Sequence, residues 1–144
     1  MTSDLGARNR ASRDRLAAVI ARLGGRSVEL PGGWTAAAVL AHLAFWDAFV
    51  AARLEKFARD RGPMEPGSDA LTDLMNAAGL PQWRALPAAA AGELATGAAA
   101  AVDRLIEGLP TDALDEIRGM KRPRLLDRSL HRKEHLDEIE RALR

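Results

Sequence analysis

Apolar residues recur at helical spacing along four long segments of the chain, with polar residues on the opposite faces. Glycine and proline lie at the ends of these segments, where they favour helix termination or a first helical turn. The predicted helices run from about Ser3 or Asp4 to Leu23, from Thr35 as N-cap to about Arg61, from about Ala88 to Gly108, and from Pro123 in the first turn to Leu143. Each is long enough to cross a small domain.

The segment between the second and third predicted helices is rich in proline. Pro66, Pro81 and Pro87 predict a long connection that contains one short helix, from about Ser68 to Ala78. A small helical turn near 111–118 precedes the last helix. Four long amphipathic helices pack most economically as a four-helix bundle, so we expect one all-α domain spanning residues 1–144, in which the long connection either turns or crosses over.

Composition supports an all-α fold and argues against binding to nucleic acid or to a membrane. Ala and Leu dominate the 47% apolar content, and aromatic residues make up only 4%, which favours helices over strands. The formal charge of +1 provides no global field that would attract nucleic acid or anionic lipid. The N-terminus lacks the apolar core of a signal peptide, and the longest apolar run, 36–50, is too short to span a bilayer. We therefore expect a cytoplasmic protein that binds neither nucleic acid nor membrane.

Histidine is the residue type that suggests chemistry. The chain has only three, and His131 and His135 are four positions apart on the last predicted helix, where they share a face at the border of the apolar stripe. His42 falls in the middle of the apolar stripe of the second helix, where an imidazole needs a partner. Three imidazoles from two helices can fill three positions of a metal shell and leave one open for a small molecule. The alternative is a core histidine satisfied by hydrogen bonds and an accidental pair on a helix surface.

Residues 131–135 also fit the H-x-x-E-H pattern of inverted zincin proteases, in which the glutamate activates water. The chain stops nine residues after His135, so it offers no later helix to supply the further ligand of those enzymes. Glu134 also projects about 60° to the other side of His131. We therefore interpret Glu134 as a solvated residue beside Lys133.

The tryptophans are the side chains best suited to shape a pocket. Trp34 is expected to hold the loop before the second helix, and Trp46 to pack in the core near His42, although either could line a pocket. Trp83, in the long connection, is the best candidate for a lid contact over the site.

Two stretches resemble the DinB/YfiT-like superfamily. GGWTAAAVLAHLAFWDAFVAARL is similar to its W-[ST]-x-x-x-x-x-x-H-L-x-x-[WF] entry into the second helix, and LHRKEHLDEIERAL resembles its closing H-x-x-x-H helix. The resemblance implies a four-helix bundle, often a homodimer, with a divalent metal such as zinc or nickel held by His42, His131 and His135.

Characterised members of that superfamily include thiol-dependent transferases and isomerases, among them mycothiol-dependent maleylpyruvate isomerase and bacillithiol transferases. This implies that a metal-activated low-molecular-weight thiol, such as mycothiol or bacillithiol, attacks a small electrophile. The chain has no cysteine, which is compatible with a thiol supplied from outside. The domain appended to the bundle in the maleylpyruvate isomerase is absent here, so we do not expect that substrate.

The leading hypothesis is thus a metal-dependent thiol S-transferase or isomerase. Arg124 or Arg128 is expected to steer an anionic group, and Glu138 to orient a ring N–H of a ligand. The alternatives are a bundle that binds or sequesters a small molecule without catalysis, and a hydrolase that uses metal-bound water.

Overall fold

The computed structural model describes residues 2–144, and these residues form six α-helices and no β-strand. The helices are α1 (Thr2–Leu23), α2 (Ala36–Asp60), α3 (Asp69–Arg84), α4 (Ala88–Glu107), α5 (Thr111–Gly119) and α6 (Ser129–Ala142). Short 3₁₀ turns occur at Pro31–Gly33 and Pro123–Leu125. The all-α class predicted from composition and periodicity is confirmed.

Four of the helices, α1, α2, α4 and α6, form the bundle. Helix α1 contacts α4 and α6, and α2 contacts the same two helices, so the four elements enclose one core. Helix α3 packs on the outside of α2. The bundle thus brings α2 and α6, the two helices that carry histidine, into direct contact.

The ion pairs between helices define their directions. Residue numbers rise together in the pairs Arg8–Asp127 and Arg15–Glu140, so α1 and α6 run parallel. Helices α2 and α6 run antiparallel, because residue numbers rise along one helix as they fall along the other. His42 contacts His131, and Asp47 contacts Arg128.

Helix α1 also runs antiparallel to α4. Gly6 lies near Glu107 at one end of the pair, and Ile20 lies near Gly92 at the other. It follows that α2 and α4 run parallel, which requires a crossover between them, and α3 provides it.

The connecting helix α3 is longer than the sequence predicts. Ser68 caps it by accepting a hydrogen bond from the Leu71 N–H at 3.2 Å, as expected, but the helix continues past Pro81 to Arg84. Proline removes only one main-chain hydrogen bond, and the last turn gains the burial of Trp83, which is 9% exposed. Packing against the bundle therefore extends the helix beyond its predicted end at Ala78.

The last helix begins later than the sequence predicts. Pro123 starts a 3₁₀ turn, and α6 begins only at Ser129. The buried Asn9 of α1 explains the difference, because its Oδ1 accepts hydrogen bonds from the main-chain N–H groups of Arg128 and Ser129 at 2.9 and 3.2 Å. Its Nδ2 donates to the Leu126 carbonyl at 3.0 Å. The Asn9 side chain therefore holds both the turn before α6 and the first N–H groups of that helix.

Helix α2 forms the centre of the core. Every residue from Ala36 to Ala44 is buried, and alanines 91, 95 and 99 of α4 belong to the same cluster. Small side chains on both helices let their backbones approach closely. Helix α2 extends well beyond the apolar run 36–50, so, contrary to the expectation from that run, it is long and apolar enough to cross a membrane by length and composition. However, 61% of its most apolar window is buried inside the bundle.

Candidate metal centre

The three histidines meet at the contact between α2 and α6. His42 is 4% exposed, and His131 and His135 are partly buried one turn apart on α6. The Nε2 atoms of His42 and His131 lie 3.1 Å apart, and the potential ligand atoms of all three rings lie within 4.8 Å of one another. The convergence that the sequence suggested is therefore present in the fold.

This geometry suits a shared cation. Two nitrogens that each lie about 2.1 Å from one ion, at a tetrahedral or octahedral angle, are about 3.0–3.4 Å apart, which includes the observed separation of 3.1 Å. Neutral imidazoles are good ligands for zinc and nickel. Nδ1 of His42 and Nδ1 of His135 are also buried without a hydrogen-bond partner, so these rings have polar atoms left unpaired in the interior. The group can hold a metal ion.

The buried rings resist protonation. Burial, and then the proximity of His135, lower the pKa of His42 from 6.5 to about 3. Burial also lowers the pKa of His131, and the guanidinium of Arg128 is the next cause. Both rings are therefore neutral near pH 7, with lone pairs free of competition from protons.

The Nδ1 atoms of His131 and His135 have different neighbours. Nη2 of Arg128 lies 3.4 Å from Nδ1 of His131. Oε1 of Glu138 lies 2.9 Å from Nδ1 of His135, close enough for an ion pair but without the alignment of a hydrogen bond. Glu138 thus has the position expected of a carboxylate that orients a metal-binding imidazole.

Tryptophan rings surround His42. The ring centroids of Trp34 and Trp83 each lie 5.4 Å from the His42 centroid, and that of Trp46 lies 6.5 Å away. The Trp46 N–H donates to Oδ1 of Asn76 on α3 at 2.8 Å. Trp46 and Trp34 face the cavity described next, whereas Trp83 packs behind His42 in the core and does not line that cavity. Trp83 therefore supports the ring from behind, and the side of the opening near α3 is formed by Thr72 and Asn76.

An open cavity of about 460 Å³ lies over the histidines. Its walls come from the loop before α2 and from α2, α3, α6 and the turn before α6. The lining residues are Trp34, Val39, His42, Trp46, Val50, Thr72, Asn76, Arg124, Arg128, His131, Glu134, His135 and Glu138. The space is large enough for a small organic molecule that reaches the imidazoles.

The two arginines of the cavity have different environments. Arg124 is exposed and pairs with Glu134 at 3.3 Å. Glu134 lies at the cavity wall and is exposed to solvent, as predicted, while its neighbour Lys133 pairs with Asp137. Arg128 is buried, and its Nε donates to Oδ1 of Asp47 at 2.8 Å. Both positions face the cavity, as their predicted role requires.

A buried charge network lies directly behind the histidines, and the sequence reasoning missed it. Arg132, only 1% exposed, donates to Oδ2 of Asp47 at 3.1 Å and to Oδ1 of Asp103 at 2.9 Å. Arg13 of α1 also pairs with Asp103, at 2.9 Å. Arg132 lies between the two histidines on α6, so the network restrains the rotation of α6 and with it the direction of the two imidazoles.

One sequence signal could have revealed this network. Asp47 interrupts the apolar run of the second helix, and a carboxylate in an apolar stripe requires a cationic partner. Arg132 lies within the H-x-x-x-H motif itself, where it looks like an ordinary surface residue. The pairing needs the three-dimensional contact between α2, α4 and α6 before it becomes visible.

Fold and site together define an all-α helical bundle with a three-histidine group that can hold a metal ion. The family model of the DinB superfamily matches residues 8–132, which is most of the chain, and the protein belongs to that superfamily. The match includes His42 and His131 and ends three residues before His135, which the structure places in the same group. Comparison with curated proteins and with solved structures found no match.

Proposed function

We propose that this protein is a metal-dependent thiol S-transferase or isomerase of the DinB superfamily. His42, His131 and His135 would hold Zn²⁺ or Ni²⁺, and the cavity above them would admit a low-molecular-weight thiol, such as mycothiol or bacillithiol, and a small electrophile. The observation that carries the proposal is the convergence of three imidazoles at the floor of an open cavity, with two Nε2 atoms 3.1 Å apart.

A divalent cation at such a site lowers the pKa of a coordinated thiol or water toward neutrality. In the transfer, the thiol sulfur forms a bond to an electrophilic carbon, the leaving group departs with the electron pair of its old bond, and the thiol proton passes to solvent. The chain contributes no cysteine, so the sulfur must come from a bound thiol.

The side chains around the histidines have roles in this proposal. Glu138 orients the ring of His135, since its carboxylate lies 2.9 Å from Nδ1. The indoles of Trp34 and Trp46 provide apolar wall against which an electrophile can pack. Arg124, at the exposed edge, adds positive charge near the opening, and its ion pair with Glu134 offsets part of that charge.

The proposal extends to the cellular setting. We infer a cytoplasmic protein, because low-molecular-weight thiols are kept reduced there. We also infer a homodimer that binds neither nucleic acid nor membrane, on the basis of family resemblance and of the near-neutral charge.

Metal analysis of protein purified without a histidine tag tests the proposal. Wild-type protein is expected to carry close to one equivalent of divalent metal, and the His131→Ala variant to carry almost none, because two imidazoles alone bind zinc weakly. The metal-loaded protein should then conjugate a cellular thiol to members of an electrophile panel, and the stripped protein should not.

Glu134→Gln is the matched control, since it alters the same helix and the same motif without removing an imidazole. It should retain the metal and the thiol-dependent turnover. Loss of turnover in this variant, together with hydrolysis of activated esters without thiol by the wild type, would indicate an inverted-zincin-like hydrolase. A wild-type protein that neither contains nor takes up Zn²⁺ would contradict the proposal and leave a bundle that binds small molecules without a metal.

A further inference from the structure

A second groove, of about 460 Å³, lies between α2 and the turn that precedes α6. Its lining residues are Val50, Arg53, Arg122, Pro123, Arg124, Leu125, Arg128 and Leu130. Val50, Arg124 and Arg128 also line the cavity above the histidines, so the groove adjoins that cavity. Four of the eight lining residues are arginines, in a protein whose total charge is only +1.

Arg53 and Arg122 lack the partners that surface arginines usually have. Their guanidinium groups both donate to one main-chain carbonyl, that of Glu65, at 2.7 and 3.1 Å. Within residues 2–144 neither lies at ion-pair distance from a carboxylate, and Nε of Arg53 is buried without any hydrogen-bond partner. Burial and the nearby charge of Arg122 lower the pKa of Arg53, with a smaller opposing effect of Glu65. Two like charges are thus held together with donors unused.

Local backbone structure keeps the arginines in place. Lys121 has a left-handed conformation, with φ of 55°, and Pro123 starts the 3₁₀ turn immediately afterwards. The backbone at Arg122 is therefore restricted on both sides, and its guanidinium is held by the hydrogen bond to the Glu65 carbonyl. Arg53 is fixed on α2, where its guanidinium carbon lies 5.1 Å from the centre of the Phe49 ring. A ligand that binds both groups would meet side chains that are already positioned, which lowers the entropic cost of binding.

We propose that this groove binds an oxyanion, a carboxylate or phosphate group, on the small molecule whose reactive end enters the three-histidine cavity. Guanidinium groups bind both oxyanions through paired N–H donors. The charge balance supports the site, because Arg128 pairs with Asp47 and Arg124 with Glu134, whereas within residues 2–144 Arg53 and Arg122 have no carboxylate partner. The inference about the reactive end rests on the proposed function, but binding of the oxyanion does not.

Isothermal titration of zinc-loaded protein with two thiols tests the combined site. Mercaptosuccinate carries a thiol and two carboxylates, and thioglycerol carries a thiol without charge. We expect mercaptosuccinate to bind at least about tenfold more tightly, which corresponds to one good charge-assisted contact. In the Arg53→Gln/Arg122→Gln double variant this difference should disappear, while thioglycerol binding should be unchanged.

Succinate and inorganic phosphate, titrated into metal-free protein, test the groove without the metal and distinguish a carboxylate from a phosphate. The double variant should weaken binding of the preferred anion at least about fivefold. Arg104→Gln is the matched control, because it removes one exposed arginine of α4 that does not line the groove, and it should leave all affinities unchanged. An Arg53→Lys/Arg122→Lys variant keeps the charge and should retain part of the anion affinity, which separates a binding role from a merely structural one.

The outcomes of the two titrations are independent. If the two thiols bind with equal affinity and the double variant changes neither affinity, oxyanion binding in the groove is contradicted. The proposed metal-dependent function is unaffected by that result. Failure of zinc binding would overturn the proposed function, and the succinate and phosphate titrations alone would then decide the groove. Equal weakening in the Arg104→Gln control would show that the anions respond only to total charge and would also overturn it.

Discussion

Asp47 connects the stability of the core to the candidate site. Its two carboxylate oxygens accept from Arg128 at 2.8 Å and from Arg132 at 3.1 Å, and all three residues are buried. Buried ion pairs add little net stability when complete, but removal of one partner leaves an uncompensated charge in a low-dielectric interior. Asp47 therefore holds two cations that would otherwise be costly in the bundle.

Asp47→Asn is expected to lower the free energy of unfolding by about 3 kcal/mol or more, since Arg128 loses the one carboxylate with which it pairs among residues 2–144. Urea denaturation measures the change. Asp60→Asn, at the exposed end of the same helix, removes surface ion pairs with Lys56 and Arg59 and should cost less than about 0.5 kcal/mol. Similar effects of the two substitutions would contradict the role assigned to the buried network.

The position of a side chain could be predicted from the sequence where the spacing of apolar residues around it defined its helix face. Helical periodicity placed His131 and His135 on one face of the last helix and His42 in the apolar stripe of the second, because the angle between positions on a helix is fixed. The assignment of all three as ligands of one metal came from the family resemblance. Asn9, Asp103 and Arg132 could not be placed in this way. Their partners lie far apart along the chain, and polar residues on amphipathic helices are usually exposed.

At the scale of elements, α3 shows how packing can override local signals. Its last turn folds Trp83 back over Gly79, and a Cβ atom added at Gly79 would lie 2.3 Å from the indole. That glycine leaves space for the ring that supports His42 from behind. The helix continues through Pro81 for the same reason, since the buried indole stabilises the turn that proline weakens.

Gly79→Ala is expected to lower the melting temperature, because overpacking of about 1–3 kcal/mol exceeds the gain in helix propensity. Gly97→Ala in α4 is the matched control. A Cβ there meets nothing within 4 Å, so the substitution should stabilise the protein by up to about 1 kcal/mol. Stabilisation by both substitutions would show that Trp83 can leave its position without cost.

Helix boundaries matched the sequence prediction where the capping residue is adjacent to the helix. They differed from it where the capping residue lies far away along the chain. Thr35 caps α2 as predicted, with its hydroxyl accepting from the Ala38 N–H at 3.0 Å. The start of α6 instead depends on Asn9, which lies 120 positions away from Ser129. No window of sequence near Pro123 contains that information.

At the scale of the whole molecule, the parallel arrangement of α2 and α4 accounts for the position of the cavity. The crossover through α3 leaves this helix against α2, where Thr72 and Asn76 can form one wall of the opening. A tight turn between two antiparallel helices would have left that side of His42 exposed. The sequence predicted the length of the connection, but its direction depends on which helices pack together.

The three tryptophans of this chain, which contains no tyrosine, all have rings within 6.5 Å of the His42 ring. The intrinsic fluorescence of the protein therefore originates almost entirely beside the proposed metal site. Ni²⁺, with its open d shell, should quench this emission strongly on titration, whereas Zn²⁺, with a filled shell, should change it little. The protein thus has a built-in optical reporter of metal occupancy, and an emission that ignores Ni²⁺ would show that no ion comes near these rings.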